Sequence, residues 1–283
     1  MMNKVYQVAG HRFCISGDRL CKVVDSIKGF TPFLVNETDV LFSFHESEDI
    51  PEICSVQYHF DYEGVVGRFG RMENGYVLSL TPEDGEPLFS WNIDGQSQLH
   101  ISGNYELRLI RFALWLGYGL MTLPYDTVAI HTSCIVYNDK AVLFLGESGT
   151  GKSTHTRLWR EHVSGSFLLN DDSPIIRVEN GRIRAYGSPW SGKTHCYRTD
   201  SYELQGCVRL SQAPYNQIRK LSTLQAYGAI HPSCPPEFAY DRALYDHIGN
   251  FLNSLLTHIP FYHLACLPDA EAAYLSCRTL FTD

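Results

Sequence analysis

Ala141-Val142-Leu143-Phe144-Leu145-Gly146-Glu147-Ser148-Gly149-Thr150-Gly151-Lys152-Ser153-Thr154 is the stretch that decides the fold. An apolar strand runs into Gly-x-x-x-x-Gly-Lys-Ser, and the apolar spacing of Leu158 and Trp159 beyond it predicts a helix over 152–161. This is the phosphate-binding loop, or Walker A, pattern. Glycines permit positive φ and close backbone approach, the helix N-terminus offers N–H groups to phosphate oxygens, the lysine meets the β/γ-phosphates and the serine a metal ion. At ordinary residue frequencies the pattern arises by chance in about one chain in a hundred of this length. The flanking strand and helix lower that further.

Upstream of the loop, the apolar stretches 128–137 and 141–145 flank Asn138-Asp139-Lys140 and predict a β-hairpin whose second strand enters the loop. His131 lies on its first strand. Downstream, Phe167-Leu168-Leu169 predicts a strand ending in Asp171-Asp172, expected beside the loop strand after the helix crosses over. Two adjacent carboxylates there can divide the work of a phosphoryl transfer, one holding Mg²⁺ and the other receiving a hydroxyl proton. Hairpin strands over 175–178 and 182–186, a helix near 240–256, a strand over 261–266 and a closing helix from 269 to about 280 follow. Gly187-Ser188-Pro189-Trp190-Ser191-Gly192-Lys193 reads as a loop able to close over phosphates or an acceptor, or as an ordinary loop of turn residues, with Lys193 and Arg198 as cations near it.

Residues 1–101 read differently. Short apolar runs such as Val40-Leu41-Phe42-Ser43-Phe44, 55–60 and 76–80 stand between turn residues, predicting a β-rich domain whose aromatics Phe42, Phe44, Tyr58 and Phe60 are core and surface positions. A helix over 104–121, with Asn104 as N-cap, is expected to bridge to the second domain, 102–283.

The bulk numbers exclude little but point one way. The chain has 283 residues, a net charge of -8 and 44% hydrophobic residues, which fits a globular protein and argues against a nucleic-acid or anionic-membrane binder. Its nine cysteines are scattered without C-x-x-C spacing, so neither a zinc site nor a disulfide framework is expected. No apolar run has the length of a membrane span or the form of a signal peptide, and the expected location is the cytoplasm.

Taken together, His131-Thr132-Ser133, the loop 146–153 and Asp171-Asp172 resemble the HPr kinase/phosphorylase family, in which a hairpin directly precedes the P-loop. The resemblance implies an α/β fold shared with phosphoenolpyruvate carboxykinases: a P-loop domain with a mixed sheet, here preceded by the smaller β-rich domain. It implies ATP and Mg²⁺ as cofactors, with Gly146, Glu147, Ser148, Gly149, Thr150, Gly151, Lys152, Ser153 and Thr154 around the nucleotide. Ser153 and Asp172 would hold the metal, and Asp171, assisted by His131 and Lys152, would serve the attacking hydroxyl. Thr154 stands where the family carries glutamate, and the arginine-rich C-terminal segment is missing, so the resemblance is to divergent kinases in place of HPr-modifying enzymes. The expected reaction is γ-phosphoryl transfer to a hydroxyl, a serine of a protein, peptide or small metabolite, by a chain that could act as a homo-oligomer. The alternative is a non-catalytic nucleotide-binding regulator that engages a partner through its first domain.

Overall fold

Alternating burial and two-residue turns build the first half. In the structure, a computed structural model that describes residues 2–192 and 194–281, strand β1 (Asn3–Val8) turns through Ala9-Gly10 into β2 (His11–Ser16). Both turn residues have positive φ, 49° and 79°, as the twist of a tight hairpin demands. Helix α1 (Asp18–Asp25) and strands β3 (Leu34–Val35), β4 (Phe42–Glu46), β5 (Ser55–Tyr62), β6 (Val65–Met72), β7 (Gly75–Pro82), β8 (Leu88–Asn92) and β9 (Gln98–Gly103) follow. They form one nine-stranded sheet in the order β3-β1-β2-β4-β9-β8-β7-β6-β5. Helix α2 (Leu107–Thr122) buries its apolar face on that sheet. Gly117 makes the approach possible, because a Cβ there would stand 2.7 Å from the Phe44 ring. Phe13 stacks on Phe42 at 5.3 Å and meets Tyr118 at 5.7 Å, while the Tyr118 hydroxyl donates to the Val8 carbonyl.

The chain divides into two compact units, Met1–Pro124 with Pro236–Tyr245, and Tyr125–Pro235 with Asp246–Asp283. The sequence boundary at 101/102 differs from this division because α2 belongs to the first sheet and a late segment returns to it. That segment is fastened by Asp241, which accepts from Gln57 Nε2 (3.0 Å), Arg71 Nε (3.1 Å) and the Tyr76 hydroxyl (2.9 Å). Burial opposes its ionisation, yet these donors, the Leu244 N–H and the Arg71 charge override burial and bring its carboxyl down to about 2. Asn104 is not the N-cap of α2. Its side chain accepts from the Glu106 N–H at 2.9 Å, and the helix starts one residue later.

The second unit is a mixed α/β layer. Its strands are β10 (Thr127–Ala129), β11 (Thr132–Tyr137), β12 (Lys140–Leu145), β13 (Phe167–Asp172), β14 (Ile175–Glu179), β15 (Arg182–Tyr186), β16 (Ser201–Gln212), β17 (Gln217–Lys220) and β18 (Phe261–Cys266). The sheet runs β10-β14-β15-β16-β12-β11-β13, with β18 also on β16 and β17 on β18. Helices α3 (Lys152–His162), α4 (Thr223–Ile230), α5 (Arg242–His258) and α6 (Ala270–Phe281) complete the list, and the chain re-enters this unit within α5. The hairpin β11–β12 forms as its turn predicts, with Asn138 and Asp139 at φ 48° and 56°. The strand read over 128–137 is broken at Ile130-His131, and its first part pairs separately with β14. The strand after α3 does not lie beside β12. β12 is flanked by its hairpin partner β11 and by parallel β16, so β13 takes the far edge of β11. Phe144, Trp159, Leu158, Val208, Leu264 and Leu280 form the core between sheet, α3 and α6. Among the described residues no helix is long and apolar enough to cross a membrane.

Glu237, in the returning segment, is 4% exposed, and its Oε2 has no hydrogen-bond partner among the described residues. Burial raises its carboxyl to about 7. A carboxyl raised above its unfolded value contributes stability fully at low pH and loses it as pH climbs through the folded value. Chemical denaturation is therefore expected to show roughly 2–3 kcal/mol lost from this source between pH 5 and pH 8. Glu237→Gln should remove that pH dependence, and an unchanged slope in the variant would show that Glu237 is not its origin.

Candidate active site

Glycine chemistry shapes the loop that joins β12 to α3. Gly146, Gly149 and Gly151 have φ of 152°, 83° and 103°, values a side chain would strain. Gly146 is doubly constrained, since its Cβ would stand 2.4 Å from Thr150 Oγ1. Thr150 folds the loop on itself by donating its hydroxyl to the Glu147 carbonyl at 2.8 Å and its N–H to the same oxygen at 3.2 Å. Gly151 caps α3 in the left-handed conformation, and the first-turn N–H groups beyond it lack intrahelical partners.

α3 is held by a buried polar contact as well as apolar packing. Trp159 Nε1 donates to Ser276 Oγ at 2.9 Å, and His155 Nε2 lies 3.1 Å from the same oxygen. The Ser276 hydroxyl gives its own proton to the Ala272 or Ala273 carbonyl of α6, so His155 must donate and carries its proton on Nε2. Burial brings the His155 pKa down to about 4, which keeps the ring neutral.

The residues singled out in sequence converge at the loop. Lys152 Nζ donates to the Gly146 carbonyl at 2.7 Å and lies 3.3 Å from both Glu147 O and His131 Nε2. Burial lowers the lysine pKa, and the nearby charges of Asp172 and Asp171 oppose that shift. Asp171 is 5% exposed, and its Oδ1 accepts the Ser133 hydroxyl at 2.5 Å and the Ser153 hydroxyl at 3.2 Å. Asp172 is half-exposed, and its Oδ1 lies 3.1 Å from His131 Nδ1. With Lys152 donating towards Nε2, a neutral His131 carries its proton on Nδ1 and donates it to Asp172. Asp172 has φ 140°, an uncommon conformation for a side-chain-bearing residue, so its backbone is strained at this point.

The loop after β15 closes on the two carboxylates. The Gly192 N–H donates to the Asp171 carbonyl at 2.5 Å, and Ser191 bridges Asp172. A Cβ on Gly192 would come within 3.0 Å of Asp172 Cβ. Lys193 lies outside the described residues. Arg198 does not reach the carboxylates: its guanidinium stands 4.8 Å over Phe167, at the opposite end of β13.

The donor set is informative. Among the described residues no three His, Cys, Asp or Glu side chains converge as a metal cage. A serine hydroxyl beside one carboxylate suits a magnesium ion that takes its other ligands from phosphates and water. On the α3 side of the loop lies a cavity of about 560 Å³, lined among others by Gly149, Thr154, Leu210, Gln212 and Cys266. Gln212 Nε2 donates to Gly149 O at 3.2 Å, tying the end of β16 to the loop. The sequence alone does not show this cavity and assigns Ser133 no role. One wall of the cavity comes from the end of β16, whose first half lacks a strand pattern, whereas Ser133 stands two residues from His131 and pairs in register with Asp171.

Neither a protein-family model nor a curated protein matches the chain. Among solved structures, the Hpr(Ser) kinase/phosphatase from Coxiella burnetii is similar over 54% of this chain and 92% of its own, at 14% identity and a TM-score of 0.31. So slight a likeness carries no assignment.

Ser276→Ala should leave two buried donors, Trp159 Nε1–H and His155 Nε2–H, without an acceptor, at a cost of about 1–3 kcal/mol in denaturant unfolding. An unchanged midpoint and slope would show that this contact does not anchor α3.

Proposed function

We propose that the chain is an ATP- and Mg²⁺-dependent kinase that transfers the γ-phosphoryl group to a hydroxyl, a serine of a protein, peptide or small metabolite. The observation that carries this reading is the convergence of Lys152, Ser153, His131, Asp171 and Asp172 at the mouth of one glycine loop. The loop N–H groups and Lys152 would bind the phosphates, and the 560 Å³ cavity, within the range of small-molecule sites, would receive the nucleoside end. The metal, when bound, supplies charge neutralisation on the phosphate oxygens.

The geometry favours exchanging the roles expected of the two aspartates. Asp171 shares its Oδ1 with the Ser153 hydroxyl, so these two would hold Mg²⁺. Asp172 faces His131 and is half-exposed, so it would receive the proton of the attacking hydroxyl, with His131 orienting its carboxylate. Lys152 and the enclosing loop 187–192 would hold the reactants in line and limit access of water.

Transfer of label from γ-³²P-ATP to serine, serine peptides or water checks this reading. His131→Ala is expected to lower the rate about 10²-fold and Asp172→Asn about 10²–10⁴-fold with Mg-ATP binding kept, the size of a lost proton acceptor. Lys152→Ala should weaken Mg-ATP binding as well. Mg-ATP binding without transfer to any acceptor would favour the regulatory alternative, and no binding at all would remove both.

A further inference from the structure

The face of the second sheet turned away from α3 and α6 carries an arrangement that the nucleotide reading does not use. Arg209 on β16 stands directly opposite His263 on β18, and His263 directly opposite Arg219 on β17. Register partners on neighbouring strands share a face, and strands lie about 4.8 Å apart, so three basic side chains form one ladder. Their neighbours Val208, Leu210 and Leu264 belong to the core on the other face, with Ile218 packed against it, which fixes the ladder's orientation. α4 frames it: Arg219 Nη1 donates to Gln225 Oε1 at 3.2 Å and Arg209 Nη1 to the Gly228 carbonyl at 3.4 Å.

The Arg209 and Arg219 charges stand on either side of His263, so protonating that imidazole sets like charges directly opposite one another unless an anion joins them. The one carboxylate within reach among the described residues is Glu147, 3.7 Å from Arg209 Nη2 on a side chain that is 82% exposed. Burial, then Arg219 and Arg209, push the His263 pKa down. His263 Nε2 lies 2.9 Å from the Ser211 hydroxyl, leaving Nδ1 for another partner. An ordinary solvated basic face would scatter its cations or pair them. In a chain of net charge -8 this one gathers them on three adjacent strands beside the P-loop. Arg209 is the register partner of Leu145, the residue before Gly146.

We propose that Arg209, His263 and Arg219 form an anion-binding site adjoining the P-loop that holds a carboxylate or phosphate group carried by the hydroxyl acceptor. Two guanidinium forks and an imidazole match the oxygens of either group. The acceptor is then an anionic hydroxyl compound, or a segment bearing such a group near the phosphorylated residue. Its assignment to the acceptor rests on the kinase reading; the anion site itself does not.

The test follows the imidazole of His263 by NMR in histidine-labelled protein without nucleotide, its signal identified by loss in His263→Gln. Inorganic phosphate and, separately, acetate are titrated in. Saturable movement of the His263 signals, with its titration midpoint raised by half a unit or more, and loss of both effects in Arg219→Gln are expected. Response to phosphate alone narrows the group to phosphate, and response to acetate alone to carboxylate. An unmoved His263, or equal movement in Arg219→Gln, overturns the site. In the transfer assay, Arg219→Gln should raise the acceptor KM at least tenfold with Mg-ATP affinity unchanged; unchanged KM would overturn its role in acceptor binding. If His263 responds but no acceptor is phosphorylated, the kinase reading falls and the anion site stands.

Discussion

The carboxylate of Asp171 is the group on which the architecture of the second unit's candidate site depends. A buried carboxylate is costly unless donors meet it, and here the donors are the hydroxyls of Ser133 on β11 and Ser153 on α3. Three elements must therefore meet at one point. The hairpin β11–β12 provides the meeting, because it sets β11 between the strand that feeds the loop and the strand that ends in the two aspartates.

Around that point the structure combines rigid anchoring with local strain. α3 is fixed by the Trp159 and His155 contacts to Ser276, so the helix that follows the glycine loop is held by its buried side. The strain lies at Asp172, whose φ of 140° is costly for a residue with a side chain, whereas Gly146 and Gly151 take their positive φ freely. The Gly192 N–H and Ser191 pin the aspartates from the other side. Such over-determination is what holds an unfavourable backbone in place.

Much of this was legible in the sequence, for definable reasons. Strand, loop and helix over 140–162 follow from an uninterrupted apolar run, from glycines with a mechanical role and from helical spacing; the hairpin follows from Asn138-Asp139. Strand β18 carries the bounds its sequence predicts, and the β-rich first half and its inward Phe42 and Phe44 follow from alternation. β16 was not legible: Ser201-Tyr202-Glu203-Leu204-Gln205-Gly206 carries polar residues and a glycine in a strand that serves three neighbours. With it went the 560 Å³ cavity and the basic ladder. The return of Pro236–Tyr245 to the first unit rests on Asp241 meeting Gln57, Arg71 and Tyr76, contacts more than 160 residues apart that no local pattern encodes. The surroundings of the adjacent aspartates are equally non-local, since one meets Ser153 and the other His131.

In the proposed kinase Asp171 and Ser153 would hold a divalent cation with the nucleotide while Asp172 stays free for the acceptor. Electron paramagnetic resonance of Mn²⁺ with a non-hydrolysable ATP analogue tests it most directly. Tight Mn²⁺ binding in the wild type, its loss in Asp171→Asn and its retention in Asp172→Asn are expected. Retention in Asp171→Asn with loss in Asp172→Asn would contradict it.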